Sequence, residues 1–210
     1  MQDDVPISLA AIILAAGDST RMGRPKALLD WGGKPLIERQ FEVARAAGIE
    51  KIIVVLGKDA LAIQGKANFA GTTVLINDHP ERGQVSSMQI GMKSLDFATD
   101  AAFLWPVDCP LITVPDLHAL RDAYASGRRA LMRIFIPTHG GARGHPMLVD
   151  IGFRQPFMEL KSDQTARTVI DANPTQVKDV PVKNAGVLVD VDTPQEYEAA
   201  KKQAGMGNRL

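Results

Sequence analysis

SLAAIILA, residues Ser8–Ala15, is an unbroken apolar run that ends at Gly17. A strand with one face in solvent alternates polar and apolar side chains. A run without alternation belongs to a strand covered on both faces, as in a parallel sheet flanked by helices. KIIVVLG (Lys51–Gly57), TTVLIN (Thr72–Asn77) and AAFLWPVD (Ala101–Asp108) read as three further strands. Helix signals separate them. Pro35 opens a segment with Leu36, Ile37, Phe41 and Ala44 on one stripe and Gly48 as its stop. A polar, Ala-rich stretch from about Lys58 to Ala67 reads as a second helix, and Val85, Met88, Met92 and Leu95 recur at helical spacing. Thr113 caps a fourth helix carrying Leu117, Leu120 and Tyr124.

Strand and helix in alternation imply a three-layer α/β/α domain with crossover helices, Rossmann-like and mostly parallel. The second half is less regular. ALMRIFIP and HPMLVD read as strands around a Gly-rich loop, Asp163–Ala172 as a helix, and QVKDVPV and GVLVDV as short strands. Thr193, Pro194 and Glu196 form a helix start with capping-box spacing. No linker or repeat divides the chain, so one domain is expected over 1–210, with a core of about 8–203 and frayed ends.

Composition removes several function classes. The formal net charge is zero, where a nucleic-acid binder carries a basic surplus. No apolar stretch reaches membrane-spanning length, and the acidic start MQDDVPIS lacks the parts of a secretory leader. The single cysteine, Cys109, excludes an intrachain disulfide and a cysteine-based zinc cluster. A cytoplasmic protein is the simplest expectation.

The first strand empties into AAGDSTRMGRPK (Ala15–Lys26), a small, flexible and cationic loop. In a parallel α/β sheet, ligands bind beyond the carboxyl ends of the strands. Gly17 and Gly23 let backbone N–H groups approach an anion; Arg21, Arg24 and Lys26 add positive charge; Ser19 and Thr20 add hydroxyl donors. The set suits a polyphosphate, although the spacing is neither a P-loop nor the dinucleotide glycine fingerprint. The alternative is a glycine-rich surface turn with solvated cations. Asp108 ends the fourth strand before Cys109-Pro110, where a carboxylate can face the same crevice and take Mg²⁺ or cap a turn. Asp190 and Asp192 alternate on an extended segment.

The string Leu14-Ala15-Ala16-Gly17-Asp18-Ser19-Thr20-Arg21-Met22-Gly23-Arg24-Pro25-Lys26 resembles the signature of the MobA-like nucleotidyltransferases. NDHPERGQVSSMQIGM (Asn77–Met92), PVDCPLI (Pro106–Ile112) and DVDTPQEY (Asp190–Tyr197) are similar to later motifs of that family, and GARGHPML (Gly141–Leu148) to the RGHP element of its cytidylyltransferase-type members. The resemblance implies a nucleotide-diphospho-sugar transferase-like fold with an antiparallel strand after Ala130. It implies transfer of a nucleoside monophosphate to molybdopterin or its molybdenum cofactor, with release of pyrophosphate. Arg21 and Lys26 would hold the outer phosphates; Asp108 and Asp192 would hold Mg²⁺, with Mn²⁺ as its substitute. Leu14, Ala15, Ala16, Gly17, Ser19 and Gly23 would line the nucleotide with Asn77, Gly83, Ser86 and Ser87. Here the chain reads Gly83-Gln84-Val85-Ser86-Ser87, where many members read Gly-Met-Ser-Ser, so the register of the two serines is shifted by a residue.

Arg143, Gly144 and His145 would cover the acceptor. Ala16, where guanylyl-transferring members tend to have glycine, favours CTP over GTP. The implied partners are these two substrates and a downstream molybdoenzyme or its chaperone. Two alternatives share the same residues: a nucleotidyltransferase acting on a sugar or alcohol phosphate, and a non-catalytic carrier of the nucleotide or cofactor.

Overall fold

The structure, a computed structural model, describes residues 7–127 and 130–206. The extreme termini of the expected domain lie outside the described residues. Eight strands form one sheet: β1 (Leu9–Ala15), β2 (Lys51–Leu56), β3 (Thr73–Ile76), β4 (Ala101–Pro106), β5 (Ile134–His139), β6 (Ala142–Arg143), β7 (Met147–Asp150) and β8 (Val177–Pro181). Their order is β3-β2-β1-β4-β7-β5-β6, and β8 also pairs with β5. β1 lies parallel to β2 and β4, and β2 parallel to β3. β7 runs antiparallel to both β4 and β5, β6 antiparallel to β5, and β8 parallel to β5. Six strands therefore point their carboxyl ends to one edge of the sheet, and the antiparallel strand expected after Ala130 is β7, joined by the two-residue β6.

The unbroken apolar run of β1 serves two cores at once. Its odd positions, Ala11, Ile13 and Ala15, face α1 (Leu36–Ala46) and α4 (Val114–Gly127), meeting Ile37, Phe41, Leu117 and Leu120. Its even positions, Ala10, Ile12 and Leu14, face α3 (Gln84–Lys93), meeting Val85, Met88 and Met92. The period of two sends alternate side chains into opposite layers. On that second face α3 lies close: a Cβ at Gly91 would stand 2.3 Å from Cγ2 of Ile12. Each fully buried aliphatic side chain contributes about 1.5–3 kcal/mol by area, so β1 anchors both layers.

Several elements differ from their expected spans. The second helix, α2 (Ala60–Gln64), is shorter than Lys58–Ala67, and α6 (Ala166–Ala172) begins at its Thr165 cap instead of at Asp163. A short helix that the sequence pattern does not signal, α5 (Gln155–Met158), adds Phe157 to the second core. GVLVDV is not a strand. Its valines have strand propensity, but Ala185–Leu188 forms a 3-10 turn. Asn184 imposes it, accepting from Gly186 N at 2.8 Å and donating to Leu111 O at 2.9 Å and Asp116 Oδ2 at 2.7 Å. Tertiary hydrogen bonds override β propensity here.

No helix among the described residues is long and apolar enough to cross a membrane.

Candidate active site

β1 and β4 are parallel neighbours, so the loops that follow them open side by side. The loop after β1 is folded on itself by two 3-10 turns, Thr20–Met22 and Lys26–Leu28. Ser19 stands at φ 50 and its Oγ accepts from the Lys26 backbone N–H at 3.1 Å. Gly23 closes the first turn at φ 71, a conformation that favours glycine. Met22 turns inward to a small cluster of Leu29, Trp31, Leu36, Val191 and Tyr197. The last two belong to the final segment of the chain, so this cluster ties the first loop to α7 (Pro194–Gln203).

That tie brings Asp192 to Asp108. Val191 N donates to Asp108 O at 2.8 Å, and Tyr197 Oη donates to Asp30 O at 2.5 Å. At the start of α7, Thr193 Oγ1 accepts from Glu196 N at 3.3 Å, while Glu196 Oε2 accepts from Asp192 N at 2.9 Å and Thr193 N at 2.8 Å. The two carboxylates then converge on one ammonium. Lys26 Nζ lies 2.9 Å from Asp108 Oδ2 and 2.5 Å from Asp192 Oδ1, and Arg21 reaches the other oxygen of Asp192 at 2.8 Å.

Lys26 is only 12% exposed at its side chain, whereas Arg21 is 67% exposed. Burial by itself would lower the Lys26 ammonium, but Asp108 and Asp192 outweigh it and hold its pKa above the ordinary lysine value. The hydrogen bond from Lys26 holds the Asp192 carboxyl below the usual range against partial burial, with Arg21 adding to the effect. Two carboxylate oxygens gathered around one cation also suit a divalent ion that completes its shell with phosphate oxygens and water, as Mg²⁺ does. Among the described residues, no group of three or more His, Cys, Asp or Glu could hold a metal without such help.

Around these charges lies a cleft of about 300 Å³. Leu14, Ala15, Ala16, Gly17, Ser19, Arg21, Lys26, Gly83, Ser87, Asp108 and Asp192 line it, as the sequence reading expected of nucleotide, phosphate and metal contacts. Gly23, Asn77 and Ser86 do not. Asn77 is 2% exposed, and its polar atoms are engaged internally. Its Nδ2 donates to Ser86 Oγ at 2.8 Å and Ser87 Oγ at 2.9 Å, and its Oδ1 accepts from His79 N at 2.9 Å. Ser86 Oγ in turn donates to Gly83 O at 2.8 Å. Asn77 and Ser86 thus brace the mouth of α3, and Ser87 is the serine that faces the cleft.

Asp59, the N-cap of α2, and Ile63, within that helix, also line the cleft from the segment that follows β2. The sequence reading passed over them; the rule that ligands sit beyond parallel strand ends was the available signal.

The expected acceptor loop is divided. Arg143 is paired at the surface with Asp179 of β8, Nε to Oδ1 at 2.7 Å and Nη2 to Oδ2 at 3.2 Å. Gly144 packs on the turn before Asp192: a Cβ there would stand 2.2 Å from Val187 O. His145 donates its backbone N–H to Val187 O at 2.8 Å, and its Nδ1 is buried without a hydrogen-bond partner. Burial pulls its pKa down, opposed by the charges of Asp108 and Asp190. Of the three, His145 is the one whose ring feels the catalytic-edge carboxylates. The Cys109 thiol is buried and pushed well above its ordinary pKa, which fits a packed side chain.

The chain is 29% identical over 197 residues to nicotine blue oxidoreductase of Paenarthrobacter nicotinovorans, covering 92% of this chain and 96% of that protein. It is 24% identical over 197 residues to molybdenum cofactor cytidylyltransferase of Escherichia coli K12, covering 93% and 97%. The crystal structure of the Rv0371c homologue from Mycobacterium sp. strain JC1 superposes with a TM-score of 0.81 at 26% identity, covering 94% and 97%. Rv0371c of Mycobacterium tuberculosis H37Rv in complex with manganese superposes with a TM-score of 0.78 at 22% identity, covering 91% and 97%. Residues 11–178 match the MobA-like NTP transferase domain, and the chain belongs to that family.

Proposed function

We propose that this protein transfers the nucleoside monophosphate of a nucleoside triphosphate, CTP in preference to GTP, to a phosphate-bearing acceptor, with molybdopterin or its molybdenum cofactor as the first candidate. An acceptor phosphate oxygen attacks the α-phosphorus in line, the bond to the α–β bridging oxygen breaks, and pyrophosphate leaves with the electron pair. Both reactants are anions, so repulsion is the obstacle, and positioning with charge neutralisation is the main catalytic task.

In this reading Arg21 and Lys26 hold the β- and γ-phosphates, and backbone N–H groups from Gly17 onward take further oxygens. Asp108 and Asp192 would hold Mg²⁺ or Mn²⁺, which would supply positive charge to offset the repulsion between the two anionic reactants. Gly83 and Ser87 stand on the base and ribose side, and His145 stands towards the acceptor. The single observation that carries the proposal is the meeting of Arg21, Lys26, Asp108 and Asp192 from three remote parts of the chain. The cytidylyltransferase relative supports CTP and the molybdenum cofactor.

The relative named as an oxidoreductase supports a second reading, in which the cleft serves a redox reaction. Electron or hydride transfer has little need of two clustered carboxylates beside two cations, so Asp108 and Asp192 favour nucleotidyl transfer. The deciding experiment incubates the chain with CTP, GTP, ATP or UTP, Mg²⁺ or Mn²⁺, and molybdopterin. Pyrophosphate release dependent on CTP and molybdopterin is expected. Pyrophosphate release with none of the four triphosphates, together with oxidation of a reduced nicotinamide cofactor used as the electron-donor probe, would replace this reading with the second.

A further inference from the structure

Three of the oxygens proposed for the metal are paired with cations of the chain itself. Lys26 Nζ bridges Asp108 Oδ2 and Asp192 Oδ1, and Arg21 covers Asp192 Oδ2. These four side chains carry two positive and two negative charges, so the attraction of the two carboxylates for a further cation is offset within the cluster. The ammonium is held deep, at 12% exposure, by a loop whose backbone is pinned through Ser19 Oγ. Among the described residues no third His, Cys, Asp or Glu joins the two carboxylates to help a metal displace it.

We infer that Lys26 is a place-holder cation that keeps the metal site shut until a triphosphate arrives, so that metal and nucleotide bind as one coupled event. A triphosphate changes the balance because it offers Lys26 and Arg21 new anionic partners. The two carboxylates are then released with a net charge of minus two, facing phosphate oxygens that complete a metal's shell. The inference rests on the nucleotidyl-transfer reading for the identity of the ligand, but the lock itself is a property of Lys26, Asp108 and Asp192. Its functional consequence is order: free Mg²⁺ does not occupy the enzyme until a triphosphate has drawn Lys26 off the two carboxylates.

The test is titration of the full chain with Mn²⁺, following free Mn²⁺ by electron paramagnetic resonance, without nucleotide and then with CTP and no acceptor. Wild type should bind Mn²⁺ weakly alone, and CTP should raise the affinity by a coupling factor of about 5- to 150-fold. Lys26→Met removes the place-holder and should raise nucleotide-free Mn²⁺ affinity about tenfold or more while shrinking the effect of CTP. Lys26→Gln is the second variant, in case two bare carboxylates prevent Lys26→Met from folding. Lys26→Arg keeps the cation and should keep nucleotide-free affinity low, a pattern that mere loosening of the loop would not produce. Nucleotide-free Mn²⁺ binding no tighter in Lys26→Met and Lys26→Gln than in wild type overturns the inference. A wild-type chain whose Mn²⁺ affinity no triphosphate changes overturns the nucleotidyl-transfer reading, and the nucleotide-free series still decides the role of Lys26.

Discussion

At the residue scale, Gly17 and Asp108 are the positions where the proposed ligand demands more than the fold does. A Cβ at Gly17 would meet nothing within 4 Å, so no protein contact demands glycine there, yet the residue lines the cleft beyond β1. Gly17→Ala should leave stability unchanged or raise it by up to about 1 kcal/mol through the unfolded chain. It should also weaken CTP binding about tenfold, near 1.4 kcal/mol, because a methyl group occupies the phosphate cradle. Isothermal titration beside urea denaturation reads both quantities, and unchanged CTP affinity would remove Gly17 from the cradle. Asp108 is half-buried and gives one oxygen to Lys26, which keeps Asp192 as a partner when that oxygen is lost. Asp108→Asn should therefore fold as wild type does and lose at least about 10²-fold in kcat. Near-normal pyrophosphate release by the folded variant would take Asp108 out of the mechanism.

At the element scale, the start of α7 holds Asp192 in place. The sequence signature Thr193-Pro194-Gln195-Glu196 is realised as a capping box, and its glutamate binds the backbone N–H of the very residue that faces Lys26. Those bonds, first from Asp192 N and then from Thr193, hold the Glu196 carboxyl below its ordinary pKa. A depressed folded pKa means that the stabilisation is present above the unfolded value, near 4.3–4.5, and is lost as pH falls through the lower folded value. Glu196→Gln should thus be less stable than wild type at neutral pH, with the difference closing in acid, as urea midpoints at neutral and acidic pH will show. Thr193→Ala removes the other half of the box and should cost about 1 kcal/mol. If either change leaves nucleotide-dependent Mn²⁺ binding untouched as well as stability, the box does not position Asp192.

At the scale of the whole molecule, what could be read from the chain was whatever local pattern controls. The two-sided burial of β1 follows from a run with no alternation, and the phosphate-sized loop follows from its glycines and cations. Hidden from the sequence were features that exist only once remote segments meet. The resemblance gathers Lys26, Asp108 and Asp192 at one site, but nothing in the sequence announces that the lysine closes on both carboxylates. Nothing in GVLVDV announces that Asn184 will fold it into a 3-10 turn, and Asn77 gives no sign that it braces two serines instead of facing a base. The meeting of the chain's two ends is the same kind of feature, and it carries the last prediction. Tyr197 is 4% exposed, lies 6.3 Å from the Trp31 ring and bonds Asp30 O, with Arg24 above its face. It is therefore the rivet between α7 and the loop that bears Arg21 and Lys26. Tyr197→Ala should cost about 3–5 kcal/mol, as for other buried aromatics, and should also reduce the thermal stabilisation that CTP with Mn²⁺ confers. Tyr197→Phe keeps the packing and loses one hydrogen bond, about 1 kcal/mol, so it should retain that ligand-induced shift. Equal ligand-induced shifts in wild type, Tyr197→Phe and Tyr197→Ala would mean that the site assembles without this junction, and that the Val191–Asp108 backbone bond and the ion pairs of Arg21 and Lys26 suffice to hold Asp192.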